Sequence, residues 1–411
     1  MSTDPADLNT VIIDHLGSSG DGMAITAEGF RAIPFAVPGD AIIVDDAGRI
    51  AEIITPSPNR REPFCPEFGR CGGCAMQHVG IELYAAWKHA LVQRAVNRAG
   101  FTTDVKPVII AHGEGRRRAI IHVRFGEGGA RAGFMAARSH DLMTLETCPI
   151  LVPELKDAFR IALAATAPLA GRNKPLDVQI TSTSNGLDVD IRGHGAPDAR
   201  ERLRLIAAAA DLDLARLSIH REIIVERRPP MVQFGDIPVI LPPRAFLQAT
   251  AEADRILGDL VLAALGKAKA VADLFCGAGP FALRLAAHAK VYAADEGKEA
   301  IAALERAARS RQGLKPVTAE VRDLFRRPLL PKELAAFDCV VIDPPRAGAE
   351  AQMRQIVASR LGKVISVSCD LQSFIRDAEI LAAGGFRLES VTPVDQFAWS
   401  KHIELVGIFR R

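Results

Sequence analysis

Short apolar runs separated by turn-forming residues fill the first 57 positions of the chain. Val11-Ile-Ile, Gly22-Met-Ala-Ile, Phe30 to Phe35, Ala41-Ile-Ile-Val and Ile50 to Ile54 have the length and β-branched content of strands. Gly17 to Gly22, Pro38-Gly39 and Asp46 to Gly48 supply the turns. Five short strands predict a small OB-like barrel. Tyr84 to Ala99 is amphipathic with helical spacing, and after Gly100 the pattern returns to strands at Val105 to Ala111, Ala119 to Phe125, Ala132 to Ala137 and Leu142 to Thr147. Helices are predicted over 154–167 and 199–210, with strand pairs at Asp177 to Ile180 and Asp188 to Ile191, then at Leu217 to Ile219 and Glu222 to Glu226. From about Phe246 strands alternate with helices, the pattern of a doubly wound, mainly parallel sheet. The expected organisation is a β-barrel over 1–57, an α+β domain over 58–240 and a Rossmann-like α/β domain over 241–411.

The last domain carries most of the chemistry. Ala270 to Phe275 is a strand that runs into Cys276-Gly277-Ala-Gly279-Pro280 and a helix from Phe281. Two glycines permit a tight turn and close approach of a ligand to the backbone. Lys290 to Asp295 is the next strand, and a carboxylate about twenty residues after a glycine turn is placed to accept from ribose hydroxyls. Val317 to Val321 leads to Asp323, which suits either contact with a base or capping of a helix. Phe337 to Ile342 exits into Asp343-Pro-Pro-Arg346, where the prolines stop the strand. Val364 to Val367 is another buried strand, and Leu371, Ile375 and Ala378 begin a helix, so Cys369 falls in the turn between them. That rim of an open α/β sheet is where ligands bind, and helix amides there favour a thiolate. A lone Ser-Cys is more often a buried, inert cysteine, so the rest of the site has to decide.

Charge and cysteines sharpen the picture. The net charge is only +2, yet residues 1–57 hold two basic and nine acidic side chains while residues 58–150 hold thirteen basic and eight acidic. A polyanion would meet the second segment, where Arg116, Arg117, Arg118, Arg124, Arg131 and Arg138 recur along predicted strands as a candidate phosphate stripe. No apolar run reaches the roughly 20 residues of a membrane span, and no secretory signal begins the chain. A cytoplasmic protein is expected, with no membrane contact and no obligate protein partner implied. In a reducing compartment seven cysteines do not imply disulfides. Cys65, Cys71 and Cys74 lie within ten residues among glycines, and Cys148 is the natural fourth thiolate. Four thiolates suit a [4Fe–4S] cluster or zinc, and His78 keeps a Cys₃His zinc site open.

Taken as a set, Asp273 to Gly279, Asp295-Glu296, Asp343-Pro-Pro-Arg346, Ser368-Cys369 and His402-Ile-Glu404 resemble the S-adenosylmethionine-dependent RNA uracil-5-methyltransferases. The resemblance covers nearly the whole chain. It implies a TRAM-type N-terminal barrel, a [4Fe–4S] cluster on Cys65, Cys71, Cys74 and Cys148, and a class I methyltransferase domain. It implies that Gln248, Phe275, Glu296 and Asp343, with Asp323, line the S-adenosylmethionine site, that Cys369 is the nucleophile, and that Glu404 is the base. The cluster-bearing branch acts mainly on rRNA, so 23S rRNA is the expected partner and tRNA the alternative. The chain departs from the family pattern at Thr250, Pro280, Asp370-Leu371 and Ala398 to Lys401. Asp370 is the most consequential, because a carboxylate beside Cys369 disfavours a thiolate. Amino-group methyltransferases are disfavoured because Arg346 replaces their stacking aromatic. RNA cytosine-5-methyltransferases are disfavoured because the Asp343 motif lacks their second cysteine. A catalytically silent iron–sulfur RNA-binding protein would need neither Cys369 nor Glu404.

Overall fold

The computed structural model describes residues 10–26, 29–172 and 174–411. By its contacts the chain divides into two compact units. The first comprises residues 1–91, 135–141 and 397–401, and the second comprises residues 92–134, 142–396 and 402–411.

In the first unit five strands form one antiparallel sheet in the order Gly29–Ile33, Gly22–Thr26, Thr10–Leu16, Ala41–Val44, Ile50–Thr55. Alternate residues of these strands point inward, and Ile13, Ala24, Ile33, Ile42 and Val44 close a small apolar core. Buried Asp40 ties the sheet to the segment after it, accepting from the amides of Val37 (2.6 Å) and Ser57 (2.8 Å) and from Arg60 (2.5 Å). The amphipathic segment becomes the helix Ile81–Arg98.

The second unit is built on two large sheets. One has seven strands, from Glu222–Glu226 at one edge to Leu142–Thr144 at the other. The other has eight, of which seven are labelled here in chain order: β1 (Ala270–Leu274), β2 (Lys290–Asp295), β3 (Val317–Val321), β4 (Cys339–Ile342), β5 (Lys363–Ser368), β6 (Arg387–Asp395) and β7 (Glu404–Arg410). Their order is β3-β2-β1-β4-β5-β7-β6, with Ile109–Ile110 added beyond β6. The neighbours among β1 to β5 are parallel, while β7 runs antiparallel to both β5 and β6. Every residue of β4 is buried, because helices cover both faces. Val271, Val291, Val341, Ile365 and Val406 belong to one core, and Leu274, Ala294, Val340, Ile342, Val364 and Leu405 to the other. Each such side chain contributes on the order of 2 kcal/mol by leaving water. Among the described residues no helix is long and apolar enough to cross a membrane.

Topology decides where the site lies. From β1 the chain winds outward to β2 and β3 on one side and returns to β4 and β5 on the other, opening a crevice at the carboxyl ends of β1 and β4. Because β7 is antiparallel to β5, its first residue, Glu404, reaches the same rim as the last residues of β4 and β5. The carboxyl end of β6 reaches it too.

Candidate active site

Gly277 and Gly279 have φ values of 51° and 91°, which make the turn after β1 and would strain other residues. A Cβ on Gly279 would also come 2.4 Å from Leu304 Cδ1. Asp295, at the end of β2, clamps the turn by accepting from Gly277 N at 3.0 Å and Gly297 N at 2.7 Å. Asp273 is fully buried beneath it, and neither of its carboxyl oxygens has a side-chain hydrogen-bond partner. Burial, then the charges of Asp343 and Asp295, push this carboxyl well above the usual carboxylate range. A buried carboxyl with spare hydrogen-bonding capacity under an open glycine turn fits a ligand that brings its own N–H donors, as the amino group of S-adenosylmethionine does.

The other residues expected around such a cofactor distribute along the rim. Phe275 takes a left-handed backbone conformation (φ 61°), and its ring lies 5.2 Å from that of Phe325. Glu296 is exposed, whereas its neighbour Asp295 is spent on the turn. Asp323 Oδ1 accepts from the amides of Phe325 (3.0 Å) and Arg326 (3.1 Å), so one of its oxygens shapes the loop. Asp343 follows β4 directly, and burial pushes its carboxyl up to about 7. Gln248 Nε2 approaches Asp343 Oδ2 at 3.5 Å.

Cys369 follows β5, two residues before the helix Leu371–Ala383. The β5–β7 register pairs Ser368 with Leu405, which sets Cys369 and Glu404 at adjacent strand ends. Burial, with the charges of Glu404 and Asp343, pushes the thiol up to about 11, and Arg346 opposes them. Asp370 turns away into a structural task, its Oδ1 accepting from Ser373 N at 2.9 Å as the cap of that helix. Glu404 is 2 % exposed, and burial followed by the Asp343 charge holds it well above the usual carboxylate range.

Polar residues with no motif of their own hold this constellation. Gln396, just past β6, bonds to Glu404, Gln248 and the Ala249 amide at 2.7, 2.6 and 2.6 Å. Arg117 is buried and donates through Nε to the Gln248 carbonyl at 3.0 Å, with Asp254 Oδ1 at 3.8 Å. It is therefore an internal support and not a member of the arginine stripe. Arg118 is half-buried with its guanidinium 5.4 Å from the Phe246 ring. Thr250, a departure from the family pattern, caps the helix Ala251–Leu265 and donates to Ala111 O at 2.6 Å.

A profile of the tRNA (uracil-5-)-methyltransferase family matches residues 236–411. An RNA methyltransferase of Brucella suis is 44% identical over 407 residues, covering 98% of this chain and 97% of its own length. The 23S rRNA (uracil(1939)-C(5))-methyltransferase RlmD of Chromohalobacter salexigens is 30% identical, covering 99% of this chain and 90% of its own. The chain belongs to the RNA uracil-5-methyltransferase family. It is an S-adenosylmethionine-dependent RNA methyltransferase. A structure of Pyrococcus abyssi tRNA (uracil-54, C5)-methyltransferase with S-adenosyl-L-homocysteine shares its fold, with a TM-score of 0.71 and 19% identity over 97% of this chain and 99% of that one.

The cysteine cluster of this methyltransferase is less assembled. Among the described residues no group of three or more His, Cys, Asp or Glu side chains is gathered so as to hold a metal, and none of the seven cysteines is in a disulfide. Cys65, Cys71 and Cys74 belong to the first unit and Cys148 to the second. Cys71 Sγ accepts from Gly73 N at 3.4 Å, and burial, over the opposing pull of that amide, raises its thiol along with the charge of Cys65. The donor chemistry suits a thiolate-bound metal. His78 is buried against the rings of Phe35 and Phe68, where burial and the Arg60 charge push it down to about 4.

Proposed function

We propose that this methyltransferase modifies C5 of a uridine in 23S rRNA through a covalent adduct between Cys369 and uracil C6, with Glu404 removing the C5 proton. The observation that carries the reading is the convergence of Cys369, Glu404 and Asp343 on one rim, close enough that the two carboxylates act on the thiol. Uracil C5 is a poor nucleophile until a thiolate adds to C6 and makes an enolate. S-adenosylmethionine, when bound, supplies the electrophilic methyl group that C5 takes. Gln248, Phe275, Glu296 and Asp343, with Asp323, are proposed to hold it, Glu296 on the ribose. Glu404 then accepts the C5 proton, the C–H electron pair forms the C5=C6 bond, and the C6–S pair returns to Cys369. Attack on the face of the base requires a flipped or single-stranded target.

The 23S rRNA assignment is supported by the relative that carries that activity and matches 99% of this chain. The cysteine pattern supports a [4Fe–4S] cluster on Cys65, Cys71, Cys74 and Cys148, with zinc the alternative, and five short strands support a TRAM-type barrel over 1–57. The central α+β domain is then 58–240 and the catalytic domain 241–411, in a cytoplasmic enzyme. Labelled S-adenosylmethionine and undermethylated total RNA, digested to nucleosides, test the reaction: label in 5-methyluridine with wild type and none with Cys369→Ala is expected. Label elsewhere, or equal activity in the variant, refutes it. Mapping the label to tRNA would replace the target and leave the chemistry. Visible absorption of anaerobically purified protein tests the metal, and a colourless, zinc-loaded preparation refutes the cluster.

A further inference from the structure

Gln396 is 1 % exposed and sits where β6 ends, next to Asp395, which is itself pinned by His112 at 2.9 Å. Its amide makes three short hydrogen bonds, and their chemistry leaves a single orientation. The Ala249 amide can only donate, so the Gln396 oxygen must face it at 2.6 Å. The NH₂ group therefore faces the other way, with one hydrogen toward Glu404 Oε2 (2.7 Å) and the other toward Gln248 Oε1 (2.6 Å). Gln248 is fixed in turn: with its oxygen accepting from Gln396, its own NH₂ must turn toward Asp343 Oδ2. One backbone N–H thus sets the polarity of a chain that reaches both carboxylates of the site.

We propose that Gln396 is the positioning residue of the deprotonation step, occupying Glu404 Oε2 so that Oε1 takes the C5 proton, and orienting Gln248 toward Asp343. The proposal rests on the reading of Glu404 as the base. The groups that face Glu404 are Asp343 from the exit of β4, Cys369 from the exit of β5 and Gln396 from the exit of β6. Burial and Asp343 disfavour a charged Glu404, and the Gln396 donor favours it. Without that donor the base holds its proton to higher pH, so at a given pH a smaller fraction of it is ionised and able to accept the C5 proton. Thiolate addition at C6 does not require Gln396, so loss of this residue should stall the reaction after methyl transfer, with the adduct unresolved.

The experiment uses full-length wild type, Gln396→Met and Gln396→Glu with labelled S-adenosylmethionine and unmodified transcribed 23S rRNA. Adduct on denaturing gels and released 5-methyluridine are followed from pH 5.5 to 9. Both variants are expected to accumulate methylated adduct, to resolve it at least tenfold more slowly, and to show the acidic limb of resolution at least one pH unit higher. The shift is larger for Gln396→Glu, which sets a further carboxylate against Glu404. Wild-type resolution rates and an unmoved limb in both variants overturn the proposal, since a merely structural change would lower the amount of active protein without moving the limb. RNA containing 5-fluorouridine, from which no C5 proton can be taken, separates the two levels of the argument. Wild type that is not trapped on it refutes the Cys369–Glu404 reading itself. If Gln396→Met alone is not trapped, its site is not assembled, and the limb of Gln396→Glu decides.

Discussion

In the free protein Cys369 should be a sluggish thiol, and the size of the effect follows from its surroundings. Burial and the carboxylates of Glu404 and Asp343 move it from 9.0 to about 11. At pH 8 that shift lowers the thiolate fraction roughly 100-fold relative to an ordinary cysteine, since each pH unit is a factor of ten. A more basic thiolate is also more nucleophilic, and with a Brønsted coefficient of about 0.4–0.5 two units return a factor of about 6–10. The net expectation is alkylation roughly 10-fold slower than that of an unstructured cysteine peptide, before any loss of access. Iodoacetamide labelling resolved by peptide mass spectrometry from pH 7 to 11 measures it at Cys369 alone. Glu404→Gln should bring the midpoint down and speed labelling, and Arg346→Gln should raise it, because Arg346 is the opposing cation. A wild-type midpoint at or below 9 would refute the reasoning.

Asp343 gives a stability signature with a defined sign. Its carboxyl is held at about 7 in the folded protein by burial, against 3.8 when unfolded, so between those values the unfolded chain binds fewer protons and stability falls as pH rises. Asp343→Asn should therefore raise the melting temperature at pH 8 and leave it nearly unchanged at pH 3.5, and equal shifts at both would exclude the linkage. Arg117→Met removes one member of a buried cluster in which Asp254 also pairs with Arg284 at 2.7 Å. It should cost about 1–3 kcal/mol in urea unfolding, because the buried Gln248 carbonyl loses its donor while Asp254 keeps Arg284, and weaken S-adenosylmethionine binding through the released Gln248 carbonyl. A cost under about 1 kcal/mol would place Arg117 outside the support. Arg118, held partly buried beside Phe246, is a candidate phosphate contact, and Arg118→Gln should lower the salt slope of single-stranded RNA binding by about 0.7. An unchanged slope would remove it from the interface.

Much of the site is legible in the chain because strand ends are. The β-branched run before Cys369 and the helical spacing after it predict a strand–turn–helix; β5 begins and ends within one residue of that reading, and its helix begins at Leu371 as read. The glycine turn, its acid and the Asp343-Pro-Pro exit follow the same logic. Asp370 has a second role that the chain does not announce. In sequence it is a charge beside the nucleophile; in space its carboxylate faces the amides of the following helix. Arg117 was misread as surface because three consecutive arginines say nothing about which one points inward along a strand entry. The site holds that one against Asp254 and the Gln248 carbonyl.

The sequence by itself determined local structure and chemistry: where strands stop, where the backbone must turn left-handed, and which side chains can serve as nucleophile, acid or thiolate. Those properties depend on neighbours a few residues away, so the chain carries them openly. Only the tertiary structure decided who meets whom. The insertion of antiparallel β7 between β5 and β6 brings Glu404 to Cys369 from 35 residues away, and no local pattern encodes that crossover. The same arrangement delivers Gln396 to Glu404 and Gln248. A lone glutamine has no periodicity or spacing to announce it, and its role exists only because three strand ends, folded to one rim, bury its amide among groups that must be satisfied.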